Sequence, residues 1–468
     1  MLTGDRAFGL AIRLRRAAGP EKYLDFRVLG ALAFAATIWL IPYNLQLLAL
    51  GGLALALFVL VPLLWREGYT WAILWLAPLA VLEPIPAPAI RLAKYALVAL
   101  AIIIAVAKRR LCPRRPGAWD ERILLTAAGF LAWIWIRALT GHAPWAGTVE
   151  ALRLTVVSGL VYMWLSEPAR AGGRRRWYSL WMAMALFGVG TSVVEVWSFG
   201  VTRSYGTFEN ANSMGAYLML SFALAFAAAH WAPGLSARRW GQACCAAILI
   251  ALYLTGSRAS WLGTATVALV VLLVTWNWRV LALGLGVCAA FLALYTTQPK
   301  VRFDVTAALR LGSGLTHRPI LWAAAREAWS RSFLIGHGVD AAGEEMERAA
   351  RYPTPIDRVL VGDLVHAGSA HNFYLEMLAE TGLIGLLLLL SMVSAILRTT
   401  WQARQNHDRW RATYALAAFA VTLGILVHSF FERSVLLGLM SYTAFYWFLV
   451  AQAMRAGDPQ PTPNRVSA

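Results

Sequence analysis

Long apolar stretches separated by short polar gaps run along nearly the whole chain. They fall at roughly 28–42, 45–65, 70–83, 89–107, 122–139, 151–166, 177–198, 211–231, 241–256, 259–276, 279–296, 371–397, 412–430 and 434–452. Apolar runs of this length read as membrane-spanning helices, since a helix rising through hydrocarbon needs about 20 such residues. The pattern predicts an all-α polytopic membrane protein with about 14 spans, or about 12 if some of the short early runs are re-entrant or merged. The long polar interruption is 298–370. Within it, 318–331 reads as an amphipathic helix with Pro319 in its first turn, and 344–351 as a second, more polar helix. The chain thus divides into a basic lead (1–27), transmembrane helices (28–297), a loop subdomain with short helices (298–370), C-terminal transmembrane helices (371–452) and a polar tail (453–468).

Charge orients this ladder. The net charge is +18, which in a soluble chain would suggest a nucleic-acid partner. Here the basic residues cluster in short gaps: Lys108 to Arg115, Arg170 with 174–176, Arg238 with Arg239, and Arg398 to Arg411. That is the signature of loops retained on the cytoplasmic side, so nucleic acid is discounted. Lead and tail then face the cytoplasm, and 298–370 lies outside. The lead lacks the apolar core and cleavage site of a signal peptide. The four cysteines have no metal-ligand or disulfide-framework spacing. No phosphate-binding loop or dinucleotide fingerprint is present, and the outer carboxylates Glu83, Glu209, Asp340, Glu344, Glu345 and Asp363 are scattered. Neither a cofactor nor a metal is expected.

The residues that defy this pattern carry the candidate chemistry. At 369–385 a polar segment leads into an apolar run. Read as one helix capped by Ser369, it places His371, Leu375, Leu378, Gly382 and Gly385 on one face, with the glycines admitting a neighbouring helix. An imidazole at a helix N-terminus would favour the neutral, proton-accepting form. The plainer alternative is an interfacial histidine over packing glycines. Arg203, Arg258 and Arg318 fall outside, against the charge rule. Arg258 lies at the tip of a tight hairpin, where a guanidinium is costly unless it faces a polar cavity or an anionic partner such as a lipid diphosphate; the plainer alternative is snorkelling to the outer headgroups. Asn210 and Asn212 gather amides at the outer end of a helix, suited either to capping it or to binding a sugar or phosphate. His337, between two glycines, is a further cavity-lining candidate. Glu195, Glu376 and Glu380 stand as ionisable residues within apolar runs.

His371-Asn372, nine residues, Gly382, two residues, Gly385 resembles the His-(Asn/Ser/Gln)-x9-Gly-x-x-Gly signature of bacterial O-antigen ligases. The 206–217 stretch, the Gly256-Ser257-Arg258 hairpin and the long outer loop are similar to the same superfamily, which also holds O-antigen polymerases and protein O-oligosaccharyltransferases. The resemblance implies a GT-C-like, inverting, metal-independent glycosyltransferase of the bacterial inner membrane, with its active site facing the periplasm. Its donor would be O-antigen on undecaprenyl diphosphate and its acceptor a hydroxyl of the lipid A–core oligosaccharide. His371 matches the family's essential histidine and Arg258 an essential arginine. Arg203, Asn210, Asn212, Arg318, His337 and Asn372 complete the expected substrate-contacting set. A lipid-linked glycan transporter is the alternative from another class, and it predicts a charged pathway and internal repeats that the sequence lacks.

Overall fold

The computed structural model describes residues 121–166, 173–201, 203–206, 208, 210–276, 318–351, 365, 370–432 and 441–454. The lead, the runs before residue 121, the run at 279–296, the start and most of the last third of the long loop, and the tail beyond Met454 lie outside the described residues. Those described form helices and loops: α1 Glu121–Thr140, α2 Pro144–Ser166, α3 Gly173–Phe199, α4 Ala211–Trp231, α5 Leu235–Thr255, α6 Arg258–Thr275, α7 Arg318–Arg331, α8 Ala342–Ala349, α9 Phe373–Ala403, α10 Arg409–His428 and α11 Ser441–Met454. Six of them (α1, α3, α4, α6, α9, α10) are long and apolar enough to cross a membrane. The protein is an all-α, multi-pass membrane protein. The loop helices fall where expected, α7 at the same residues and α8 two residues earlier at each end. The outer loop expected between 139 and 151 is much shorter, because Pro144 opens α2.

α4 is the axis of the bundle, with 89% of its apolar window buried, and α10 follows at 67%. Small residues bring these helices close. Gly263 of α6 lies on the Gly424 carbonyl of α10, Gly215 of α4 on Ser257 and Ser260, and Gly241 of α5 on the α4 backbone at Ala225 and Ala229. In hydrocarbon such close approach supplies the packing that a hydrophobic effect between helices cannot.

The bundle has two distinct ends. At one, buried Arg174 donates to Asp408 (2.6 Å) and to the Gln452 carbonyl (3.2 Å), and Arg411 donates to the Ala453 and Met454 carbonyls that end α11 (3.0 and 3.2 Å). Guanidinia there satisfy the orphan carbonyls of a helix terminus. At the other end gather the α1–α2 turn, the segment before α4, the α5–α6 hairpin, the α7–α8 subdomain, the start of α9 and the end of α10. Backbone bonds join them: His142 N–H to His337 O (2.9 Å), Ser204 N–H to Leu254 O (2.9 Å) and Phe373 N–H to Ser429 O (3.0 Å).

α9 is not one continuous helix through the signature. Gly382 takes φ 67° and ψ −171°, which breaks it. The carbonyls of Ala379 and Glu380 would normally accept from the N–H groups of Leu383 and Ile384. Instead they accept from His337 and Gly338 (2.9 and 2.8 Å), while Leu383 and Ile384 donate to Phe333 and Leu334 (3.0 and 3.1 Å). The loop after α7 is spliced into the helix, replacing two of its bonds with four. The expectation that the two glycines admit a neighbouring helix is therefore corrected for Gly382, which admits this loop backbone. It holds for Gly385, which faces Trp133 of α1 as well as Thr381 of its own helix.

Candidate active site

The start of α9 also differs from expectation, and the difference defines the site. Asn372, not Ser369, is the N-cap, its side chain accepting from Leu375 N–H at 3.2 Å. His371 therefore precedes the helix and stands outside the face drawn through Leu375, Leu378 and the glycines. It adopts φ 48°, a left-handed conformation uncommon for a non-glycine residue. The Phe373–Ser429 backbone bond and a Tyr374 hydroxyl donating to Leu426 O at 2.7 Å fix this junction against the end of α10.

Four residues past α10 the chain presents Glu432, on which the site converges. Its Oε1 accepts from Arg318 Nη2 at 2.9 Å and from Asn212 Nδ2 at 2.8 Å, and its Oε2 faces His371 Nδ1 at 3.3 Å. Arg203 extends the network, donating from Nη2 to Asn212 Oδ1 (3.1 Å) and from Nε to the Thr255 carbonyl (2.9 Å). Arg318 also lies over Phe431, 6.0 Å from its ring centroid. The His371 side chain is 29% exposed and that of Glu432 11%, so the imidazole is reachable while the carboxylate is shielded. Burial pushes the Glu432 carboxyl up. The hydrogen bond from His371, with Arg318 and other neighbours, prevails and holds it below its ordinary value of 4.5.

A carboxylate accepts only, so the His371 ring donates through Nδ1 and offers Nε2 as a proton acceptor. A carboxylate–imidazole pairing of this kind can orient a general base. Positive charge stands beside it on Arg318 and Arg203. Arg258, half-buried, opens α6 two residues after Gly256, on which the Arg203 side chain rests. Because Gly263 packs on Gly424 and His428, α6 begins at the same end of the bundle at which α10 ends. His371 and Arg258 thus share one end.

The sequence-derived candidates separate accordingly. His371, Arg203, Asn212 and Arg318 meet at Glu432. Asn210 instead caps α4, its Oδ1 accepting from Asn212 and Ser213 N–H (3.0 and 2.8 Å), and Asn372 caps α9. His337 goes to a separate cluster with His142 and Glu345. Glu195 accepts from Ser204 Oγ, Tyr205 N and Gly206 N (2.8, 2.9 and 2.7 Å), which closes the loop that carries Arg203. Glu432 itself escaped the sequence reading. Its one signal was an acid in the short gap between the last two apolar runs, on the outer side.

Residues 243–390 match the family model described as O-antigen ligase, Wzy_C. No curated protein matches the chain. The matched stretch runs from α5 through the histidine signature and includes Arg258, Arg318, His337 and His371. It leaves Arg203, Asn212 and Glu432 to the flanking segments. Residues 243–390, about a third of the chain, are thus similar to the O-antigen ligase family.

Proposed function

We propose that this protein is an O-antigen ligase in the strict sense. It transfers O-antigen glycan from undecaprenyl diphosphate to a sugar hydroxyl of lipid A–core oligosaccharide, on the periplasmic face of the bacterial inner membrane. The family match carries the general class, a ligase of glycosyltransferase type. The observation that carries the finer reading is the convergence of His371, Arg318 and the Asn212–Arg203 pair on Glu432.

In this scheme Glu432 holds Nδ1–H of His371, and Nε2 takes the proton of the acceptor hydroxyl. The acceptor oxygen attacks the anomeric carbon of the donor from the face opposite the diphosphate, so configuration inverts. The bond from that carbon to the diphosphate oxygen breaks, and its electron pair leaves on undecaprenyl diphosphate. Arg258, Arg318 and Arg203 offset the charge that develops there. The leaving group is already activated, so the scheme uses neither nucleotide nor covalent enzyme intermediate, and no metal takes part in it. Asn210 and Asn372 contribute by holding the helix starts that carry Asn212 and His371.

The test supplies the purified full chain with lipid-linked O-antigen and lipid A–core. Capped lipopolysaccharide is the expected product. Lengthening of the lipid-linked glycan would mark a polymerase, transfer to a protein hydroxyl an O-oligosaccharyltransferase, and absence of any new glycosidic bond a transporter; each would overturn the proposal.

A further inference from the structure

A second polar cluster lies at the same end of the bundle. His142 comes from the α1–α2 turn, His337 from the loop spliced into α9, and Glu345 from α8. Their ligand atoms all lie within 4.8 Å of one another. His142 Nδ1 is 2.9 Å from Glu345 Oε1, and His337 Nδ1 is 3.8 Å from Glu345 Oε2. The side chains of His337 and Glu345 are 8% and 4% exposed, while that of His142 is 53% exposed.

The tautomer of His337 makes this arrangement informative. Its Nε2 lies 2.8 Å from the Ala328 carbonyl, which can only accept, so Nε2 carries the proton. In the neutral ring Nδ1 is then a lone pair aimed at a buried carboxylate. Two acceptors facing one another under burial are unfavourable unless a cation lies between them. A histidine whose second nitrogen donates to a backbone carbonyl is also the usual state of a metal-ligating imidazole. Arg348 already reaches Glu345 Oε1 and Glu344, and it supplies part of that positive charge from the exposed side. It approaches the oxygen shared with His142 and leaves the Oε2–His337 side to a different cation.

We infer that His142, His337 and Glu345 form a site for a divalent transition metal, with Zn2+ the best fit. Two imidazoles and a carboxylate suit zinc at about 2.0–2.2 Å from each ligand atom, which sets tetrahedral ligand separations near 3.3 Å. His142 approaches Oε1 at 2.9 Å and His337 approaches Oε2 at 3.8 Å, so the carboxylate lies between the two imidazoles and the three ligand atoms are close enough to gather on one ion. A fourth position would open beside the exposed His142. Nitrogen ligands disfavour Mg2+ and Ca2+. The metal's work would be structural. It ties together the α1–α2 turn, α8 and the loop that replaces the bonds broken at Gly382, and so stiffens the base on which His371 stands.

The experiment uses the full chain, with any affinity tag removed, purified in detergent, stripped with chelator and titrated with Zn2+. Calorimetry and elemental analysis after dialysis should give one zinc per chain, with Tm rising on loading. His142→Ala, at a half-exposed turn position, should fold normally but lose the stoichiometric zinc and the Tm rise. Arg348→Ala should tighten binding at least several-fold by removing a competing cation from Glu345. Zinc below stoichiometry in the wild type, zinc retained in full by His142→Ala, weaker binding in Arg348→Ala, or an equal Tm rise with Mg2+ would each overturn the inference. None of these readouts involves glycan, so they stand or fall apart from the transfer reaction.

Discussion

At Glu432 three side chains from distant parts of the chain share one carboxylate, and that sharing gives the residue two separable duties. One is to hold His371 Nδ1, the other to hold Arg318 and Asn212. His371→Ala removes the proposed base and should lower kcat by about 10^2–10^4-fold while the protein stays folded in the membrane. Near-normal turnover would reject the base assignment. Glu432→Gln keeps the shape but no longer enforces a donating Nδ1, and it leaves Arg318 without its charged partner. Its kcat should fall by at least about 10^2-fold with little change in acceptor KM. Arg258→Ala should instead raise the donor KM, and unchanged donor kinetics would count against diphosphate contact. The acid limb follows from the lowered Glu432 pKa. A carboxyl whose folded pKa is depressed stabilises the fold above its unfolded pKa, and that contribution is lost as pH falls through the folded value. Thermal stability should therefore hold through mild acid and decline only below about pH 4.5, with a shallower decline in Glu432→Gln. His371 and Arg258 stood out in the sequence because each breaks a local rule of charge or hydropathy, and the structure places both at one end of the bundle. Glu432 was not, since its partnership with His371 spans 61 residues and with Arg318 114.

The elements were easier to read than their joints. Apolar periodicity located α1, α3, α4, α6 and α10 to within a few residues, because length and charge decide which segments cross a bilayer, whereas α5 begins well before its apolar run. It could not locate the break at Gly382, since Leu383 to Leu390 continues the apolar pattern without a pause. Nor could it choose Asn372 over Ser369 as the cap, because both residue types cap helices equally well. The break makes a graded prediction. At Gly382 both φ and ψ lie in a region essentially reserved for glycine, and an added Cβ would stand 2.2 Å from the Leu334 carbonyl oxygen. Gly382→Ala should cost about 1–3 kcal/mol in backbone strain alone, with the backbone clash added. At Gly385 the nearest atoms are Oγ1 and Cβ of Thr381; a rotamer change relieves only the first, but the backbone there carries none of the positive-φ strain of Gly382. Gly385→Ala should therefore lower Tm less than Gly382→Ala, as measured by scanning fluorimetry in detergent. The reverse order would mean that the spliced loop is not what the signature glycine protects.

The separation of the two ends gives the whole molecule its direction, and that direction can be tested. Arg174, Arg411, Asp408 and the α11 terminus are bound together at one end, whereas His371, Glu432, the α5–α6 hairpin and the α7–α8 subdomain occupy the other. A cation-rich end is favoured on the cytoplasmic side during insertion. On that ground the proposed reaction requires the Glu432 site to face the periplasm, where its two amphiphilic substrates would meet. Glu344, exposed on α8, and Gln405, exposed between α9 and α10, report the two ends without touching either network's buried members. In a cysteine-free background, Glu344→Cys should react with a membrane-impermeant maleimide in intact spheroplasts. Gln405→Cys should react only after the membrane is permeabilised. The opposite pattern would put the imidazole and the guanidinia on the cytoplasmic side. A periplasmic transfer reaction would then be impossible at this site, whatever its internal geometry.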